Sequence, residues 1–296
     1  MDNSSVACAI CFTECQEERF VEAKMPCCYR IGGSTKFCID CIEKLCRSTP
    51  SKIGCCPICK AGITILDKTV INMKAEKDAL EIVMREDFEG IIDVMRTHLH
   101  SLSVQKEACK ALWRLTASDA ENKVTNRNLI REAGGITAIV NAMQSHLTDA
   151  MLQMSACDAL CGISCDNVNN KAAIREAGGI LAIVEGMKAH LNIAEMQEQG
   201  CWALINVSSN NRDNKDAIRE CDGIVTIIDA MKTHVVNTSV QRYGCGAIVN
   251  IANGNAINKS IVKDVEGIRV VQSALAHHPN DEKLRRRANN ALKLLQ

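Results

Sequence analysis

From about residue 75 onward, apolar residues fall at helical spacing and the pattern recurs every 44 residues. In one copy, residues 180–190 place Ile180, Ile183, Val184 and Met187 on one helix face. Residues 196–208 do the same with Met196, Gly200, Cys201, Leu204 and Val207. A third, shorter helix is predicted after Asn214, whose side chain is expected to cap it, running through Ile218 to the glycine that stops it. The junction Ile174-Arg-Glu-Ala-Gly-Gly-Ile180 returns as Ile130-Arg-Glu-Ala-Gly-Gly-Ile136, as Ile218-Arg-Glu-Cys-Asp-Gly-Ile224 and, more loosely, as Val262-Lys-Asp-Val-Glu-Gly-Ile268. Three columns keep the one period: Gly135, Gly179, Gly223 and Gly267; Cys157, Cys201 and Cys245; Asn126, Asn170, Asn214 and Asn258. An earlier copy aligns Asp87 with the glycines, Met95 with Met143, Met187 and Met231, and Cys109 with Cys157. Its offset is 48 residues, the excess falling in the polar stretch from Ser118 to Arg127, where a surface loop absorbs insertions at little cost. Five units are therefore expected. The apolar face of one unit is too small to stand alone, so neighbours must stack into an α-solenoid with a continuous core.

Three helices per 44 residues resemble the armadillo repeat, over residues 75–296. Cys201-Trp-Ala-Leu-Ile-Asn206 carries the Trp-x-x-x-Asn pair that armadillo families place on the helix lining the concave groove. The Trp column reads Lys110, Asp158, Trp202, Gly246 and Asn290, and the Asn column Arg114, Gly162, Asn206, Asn250 and Leu294. That is not the regular ladder of nuclear-import adaptors, and a groove for nuclear-localisation peptides is not expected. The resemblance implies a protein or peptide partner on the concave face, at Lys110, Arg114, Asp158, Trp202, Asn206 and Asn250. The repeated cysteines read as small buried core residues. The repeated histidines, His98, His146, His190, His234 and His278, read as helix-end caps, and Arg285-Arg-Arg287 as a solvated terminal face.

The pattern before residue 60 is different. Eleven of the 18 cysteines lie between Cys8 and Cys59, as Cys8-x-x-Cys11, Cys27-Cys28, Cys38-x-x-Cys41 and Cys56-x-x-Cys59 with Cys15, Cys46 and Cys55 besides. Two residues between thiolates let one tight loop aim both at a tetrahedral zinc ion, and four pairs suffice for two Zn²⁺. With few large apolar residues, this segment is expected to need metal to fold. The order of pairs and their flanks, Cys8-Ala-Ile-Cys11, Met25-Pro-Cys-Cys28, Lys36-Phe-Cys-Ile-Asp-Cys-Ile42 and Cys56-Pro-Ile-Cys59, resemble an all-cysteine RING domain in residues 1–62, joined by a linker at 63–74. The resemblance implies a cross-brace: Cys8, Cys11, Cys38 and Cys41 on one zinc, Cys27, Cys28, Cys56 and Cys59 on the other, with Cys55 as an alternative to Cys56. It also implies that Ile10, Leu45, Pro57, Ile58 and Lys60 dock a ubiquitin-conjugating enzyme, catalysis then being by positioning.

Charge and composition prune the rest. Thirty-five Lys and Arg offset 35 Asp and Glu, so no global basic field draws nucleic acid. No apolar run approaches the roughly 20 residues of a membrane helix, and the N-terminus lacks the basic and apolar regions of an export signal. The expected location is intracellular, cytoplasmic or nuclear, where clustered cysteines hold metal more often than disulfides. No phosphate-binding loop or nucleophile constellation stands out. The leading expectation is a RING-type ubiquitin ligase that holds substrate on the solenoid; the alternative is a non-catalytic zinc-binding scaffold.

Overall fold

The computed structural model describes residues 75–84, 87–117 and 122–296, together with the backbone of four short strands earlier in the chain. Two compact units, Met1–Asp78 and Ala79–Gln296, divide it. In the first, β1 (Val6–Ala7) pairs antiparallel with β2 (Glu14–Cys15), and β3 (Phe20–Ala23) with β4 (Thr35–Cys38), which sets Phe20 opposite Cys38. Of Cys38 only the backbone is described. The other expected zinc ligands, Cys8, Cys11, Cys27, Cys28, Cys41, Cys56 and Cys59, lie outside the described residues. So do the expected docking positions Ile10, Leu45, Pro57, Ile58 and Lys60.

The second unit is an armadillo-type solenoid. Helix α1 spans residues 75–84 and contributes Ala79 and Val83 to the core. The first full unit follows with α2 (Phe88–Thr97), α3 (Leu102–Thr116) and α4 (Lys123–Glu132). The second has α5 (Gly135–Ser145), α6 (Ala150–Ser164) and α7 (Val168–Glu176), and the third α8 (Gly179–Ala189), α9 (Ala194–Ser208) and α10 (Arg212–Glu220). The fourth has α11 (Gly223–Thr233), α12 (Thr238–Ala252) and α13 (Ala256–Asp264), and α14 (Gly267–His277) and α15 (Glu282–Leu295) close the chain. The long helices α3, α6, α9, α12 and α15 pack one against the next as a single inner layer. Among the described residues no helix is long and apolar enough to cross a membrane.

The glycine column marks where the short helix turns into the next unit. Gly134 and Gly178 take left-handed backbone (φ 80° and 79°), and Asp222 and Glu266 hold the same conformation in later units. The following glycine serves close approach instead: a Cβ on Gly179 would lie 2.7 Å from Ile174 Cγ2 and 2.9 Å from the Ile174 carbonyl oxygen. Neither contact is tolerable, because the second is backbone and cannot move aside.

Repeated hydrogen bonds stitch the units. Gln197 Nε2 donates to the carbonyls of Met187 and His190 (2.9 Å each), so the long helix satisfies the open end of the first. Gln105, Gln153 and Gln241 do likewise. Each histidine caps its helix, and from the second unit on it also reaches the unit before: His190 Nε2–H donates to Leu147 O at 2.8 Å, His146 to Leu99, His234 to Leu191 and His278 to Val235. A carbonyl only accepts, so this bond places the proton on Nε2. The cysteines Cys109, Cys157, Cys201 and Cys245 are buried, and burial pushes the Cys109, Cys201 and Cys245 thiols up to about 12. They are inert packing residues.

The asparagine column departs from its expected role. The third helix begins at Arg212, before Asn214, and its cap is Asn211, whose Oδ1 accepts the Asn214 backbone N–H at 3.0 Å. Asn167 and Asn255 cap the equivalent helices. Asn214 lies one turn inside and is fully buried. Its Nδ2 donates to Val207 O (2.7 Å) in its own unit and to Lys171 O (2.9 Å) in the preceding one. It ties units together and caps nothing.

Candidate functional site

On the inner layer, between α3, α6 and α9, lies a cavity of about 510 Å³. Its walls are two indoles, Trp113 from α3 and Trp202 from α9. Trp113 is 39% exposed and Trp202 is half-buried. Gly162 of α6 lies between them in the column that carries Asn206 and Asn250 in later units. A side chain at Gly162 would collide with Thr116 Oγ1 on α3, so the glycine both lets the helices approach and leaves the space open.

At the helix ends the cavity is lined by Arg127 of α4, which is 6% exposed. Its Nη2 donates to Thr116 O at 3.0 Å and its Nη1 to Cys165 O at 3.2 Å, tying the end of α3 to the end of α6. Later units have lysine here: Lys171 reaches Ser209 O and Lys215 reaches Asn253 O, both at 2.8 Å. Arg127 thus keeps the tie and adds a planar cation to the lining. Arg114 brings a second guanidinium. Cys161 also lines the cavity; burial pushes its thiol up to about 12, with nearby Asp158 and Cys165 adding to the rise and Arg127 opposing it.

The six expected groove residues separate in space. Arg114, Trp202 and Asn206 share the cavity. Lys110 instead pairs with Glu107 on its own helix at 2.7 Å. Asn250 Nδ2 donates to Ile205 O at 2.8 Å and so binds α12 to α9. Asp158, one turn before Gly162, is outside the lining; its Oδ1 is buried without a hydrogen-bond partner among the described residues, and burial pushes its carboxyl up to about 6. Sequence reasoning missed Trp113 and Arg127. The signals were present: Trp113 and Trp202 are the two tryptophans of the whole chain, and Arg127 interrupts a lysine column.

Farther along the inner layer the aromatic surface is already occupied. The Trp202 and Tyr243 rings lie 6.4 Å apart, tilted by 46°. The guanidinium of Arg287 covers Tyr243 at 5.1 Å from the ring centre while its Nη1 donates to Arg242 O at 3.1 Å. Arg242 pairs in turn with Asp281 at 2.7 Å. The basic run on α15, expected to be a solvated face, therefore places one of its arginines against the inner layer.

A family model described as LRRK2 ARM repeat matches residues 76–280. Among curated proteins, Protein aardvark of Dictyostelium discoideum is 38% identical over 79 residues, a match that spans 27% of this chain and 10% of that protein. The armadillo-repeats-only protein of Plasmodium falciparum superposes with a TM-score of 0.59 at 18% identity, over 76% of this chain and 97% of its own. A designed armadillo repeat protein in complex with the peptide (KR)4 superposes with a TM-score of 0.60 at 16% identity, over 86% of this chain and 98% of its own. At such identities the likeness to solved structures establishes the fold.

Proposed function

Because the chain belongs to the LRRK2 ARM repeat family, we propose that it is a non-catalytic armadillo scaffold that holds a peptide segment of a partner protein on its inner face, between Trp113 and Trp202. One observation carries this reading: both tryptophans of the chain wall a single open cavity, whereas Tyr243 farther along is covered by the chain's own Arg287. Partly exposed indoles beside guanidinium and amide groups make a protein-binding anchor site. The designed neighbour that holds a peptide supports the choice of ligand class. Tryptophan emission reports on this cavity directly, so the test needs no label. Peptides enriched by display against the full-length protein are expected to shift that emission and to lose affinity about tenfold or more with Trp113→Ala, as anchor residues do. Enriched peptides that leave the emission unmoved would end this reading.

A second reading rests on the cysteine spacing. Three Cys-x-x-Cys pairs and Cys27-Cys28 support two zinc ions in a RING-type cross-brace, with Ile10, Leu45, Pro57, Ile58 and Lys60 docking a ubiquitin-conjugating enzyme. The solenoid is then the substrate arm of a ubiquitin ligase acting in the reducing interior of the cell. The experiment is autoubiquitination by the full-length protein with bound zinc quantified, alongside Ile10→Ala and Cys38→Ser. Ubiquitin chains that require both residues establish the ligase. Two zinc ions without transfer leave an interaction module, and no zinc removes the cross-brace altogether.

A further inference from the structure

We propose that Asn253 is a self-modifying site guarded by Lys215: its side-chain amide is displaced by the Gly254 nitrogen, and the residue becomes aspartate or isoaspartate at the seam between the third and fourth units. The inference is independent of the peptide-binding reading. Asn253-Gly254 is the one Asn-Gly pair of the chain. The displacement needs an exposed asparagine and a following residue that lets the peptide between them turn, which glycine, lacking Cβ, hinders least. Both residues are exposed. They form the turn from α12 to α13, where Asn253 has φ −65° and ψ 121° and Gly254 has φ 69°. Those angles, with the Asn255 N–H donating to Ala252 O at 3.1 Å, belong to a type II turn whose central peptide joins Asn253 to Gly254. The central N–H takes no part in the hydrogen bond that closes such a turn, and a Cβ built on Gly254 would meet nothing within 4 Å. The central peptide thus has room to rotate while the ends of the turn stay fixed. Rotation about the Asn253 Cα–C bond is the motion that brings Gly254 N to Cγ.

The bonds balance with water as the co-reactant. Gly254 N gives its proton to hydroxide and attacks Asn253 Cγ. The Cγ–Nδ2 bond breaks, and the nitrogen leaves as ammonia after taking a proton from water, which restores the hydroxide and closes a succinimide. Water then opens the ring. Attack at Cγ leaves the main chain as it was, with aspartate in place of asparagine. Attack at the main-chain carbonyl carbon leaves Gly254 N on Cγ, so the chain runs through Cβ and gains a methylene.

The seam supplies the guard. A cation from the third helix of the preceding unit ties each such turn: Arg127 holds Cys165 O, Lys171 holds Ser209 O and Lys215 holds Asn253 O. The turns read Cys165-Asp166, Ser209-Asn210 and Asn253-Gly254, so the last alone sets an amide before a glycine. The carbonyl that Lys215 holds at 2.8 Å belongs to the peptide that must rotate, and rotation draws it off Nζ. A closed seam therefore slows the reaction and an opened one releases it. The added methylene then displaces Asn255, which caps α13 and donates through Nδ2 to Asp216 Oδ1 at 2.9 Å, and the seam loses its register.

The test incubates the full-length protein at neutral pH and maps its peptides by mass spectrometry, with isoaspartate identified by electron-transfer fragmentation. The amide-to-acid mass change is expected at Asn253 ahead of every other asparagine. Lys215→Met is expected to speed it about threefold or more, the worth of one hydrogen bond from a charged donor. Lys171→Met, which loosens the neighbouring seam, is expected to leave the rate unchanged. Asn253→Ser, which installs the residue of the preceding turn, is expected to abolish the change, with circular dichroism showing that all these variants are folded. Hydrogen exchange in α13 is expected to quicken as isoaspartate accumulates, and to stay constant in Asn253→Ser. An intact Asn253 under conditions that fully convert a peptide of residues 248–258 overturns the site. Conversion that Lys215→Met leaves unchanged or slows, or that Lys171→Met speeds equally, overturns the guard. Isoaspartate without faster exchange overturns the loosening of the seam.

Discussion

The two halves of the solenoid solve the same stitching problem with unequal completeness. In the later half, each buried asparagine is satisfied at both ends of its amide. Asn214 Oδ1 accepts from Arg175 Nη1 and Asn258 Oδ1 from Arg219 Nη1, both at 3.1 Å. In the earlier half, Asn170 Oδ1 is buried with no partner among the described residues. Arg131, which occupies the corresponding place, turns to Glu132 at 2.7 Å instead. Asn122 precedes α4 yet makes no side-chain cap bond, whereas Asn167, Asn211 and Asn255 all do. Asp158 adds another buried oxygen without a partner among the described residues. Most of the open cavity's lining comes from this same half, with Trp202 and Asn206 of α9 closing it from the other, where the self-filled aromatic position lies. Binding surfaces are drawn from the less self-satisfied part of a fold, because a partner then supplies what the chain does not.

The largest effect that separates the halves is expected at the ties. Asn214→Ala should cost about 3 kcal/mol in urea unfolding, since it removes the side-chain donor to two buried carbonyls and the neutral acceptor of Arg175 Nη1, which is left with Asp213 and Glu176. Asn170→Ala should cost less, about 2 kcal/mol, since only its donor bonds are lost. Equal losses would erase the comparison. Next, the aromatics should trade roles: Tyr243→Ala should lower stability by about 2 kcal/mol and leave peptide affinity unchanged, while Trp113→Ala should lower affinity and cost less than about 1 kcal/mol.

Asp158 supplies a pH signature. Its carboxyl is raised in the folded protein from 3.8 to about 6, so the folded state binds the proton more tightly than the unfolded state does. The resulting penalty is absent below pH 3.8, grows as pH rises toward 6 and is complete above it. Asp158→Asn should therefore stabilise by about 1 kcal/mol at pH 7.5 and by nothing at pH 3.5, read from paired thermal melts. The smallest effect is a repair. Glu132→Ala releases Arg131 toward Asn170 and should raise stability by about 0.5 kcal/mol. A loss of similar size would show that the pair with Glu132 matters more than the missing tie.

The period made the solenoid legible, because every unit must bury the same faces and so repeats the same letters. The cysteine and histidine columns follow directly from that requirement. The asparagines were harder. Two columns run three residues apart, Asn167, Asn211 and Asn255 beside Asn170, Asn214 and Asn258, and capping was assigned to the wrong one. Only the start of the helix decides between them. The cavity was half legible: Arg114, Trp202 and Asn206 stand in recognisable armadillo positions, but Trp113, Gly162 and Arg127 act through what their own unit lacks or substitutes. A column highlights what units share, and this cavity is made of what they do not share. The zinc spacing is as clear in the sequence as the repeats, but its residues lie outside the described ones.

The seams carry a consequence for inheritance. Apart from the first histidine seam, His146 to Leu99, which spans the insertion and is 47 residues long, each joins the same atoms at the same chain separation, His to a carbonyl 43 residues back and Asn to another 43 residues back. Excising residues 179–222 brings Gly178 to Gly223 and presents every seam with a partner of its own kind. Whole units can thus be lost or duplicated in a gene without any interface being reinvented, and the reach of the binding face becomes a quantity that evolution counts in integers.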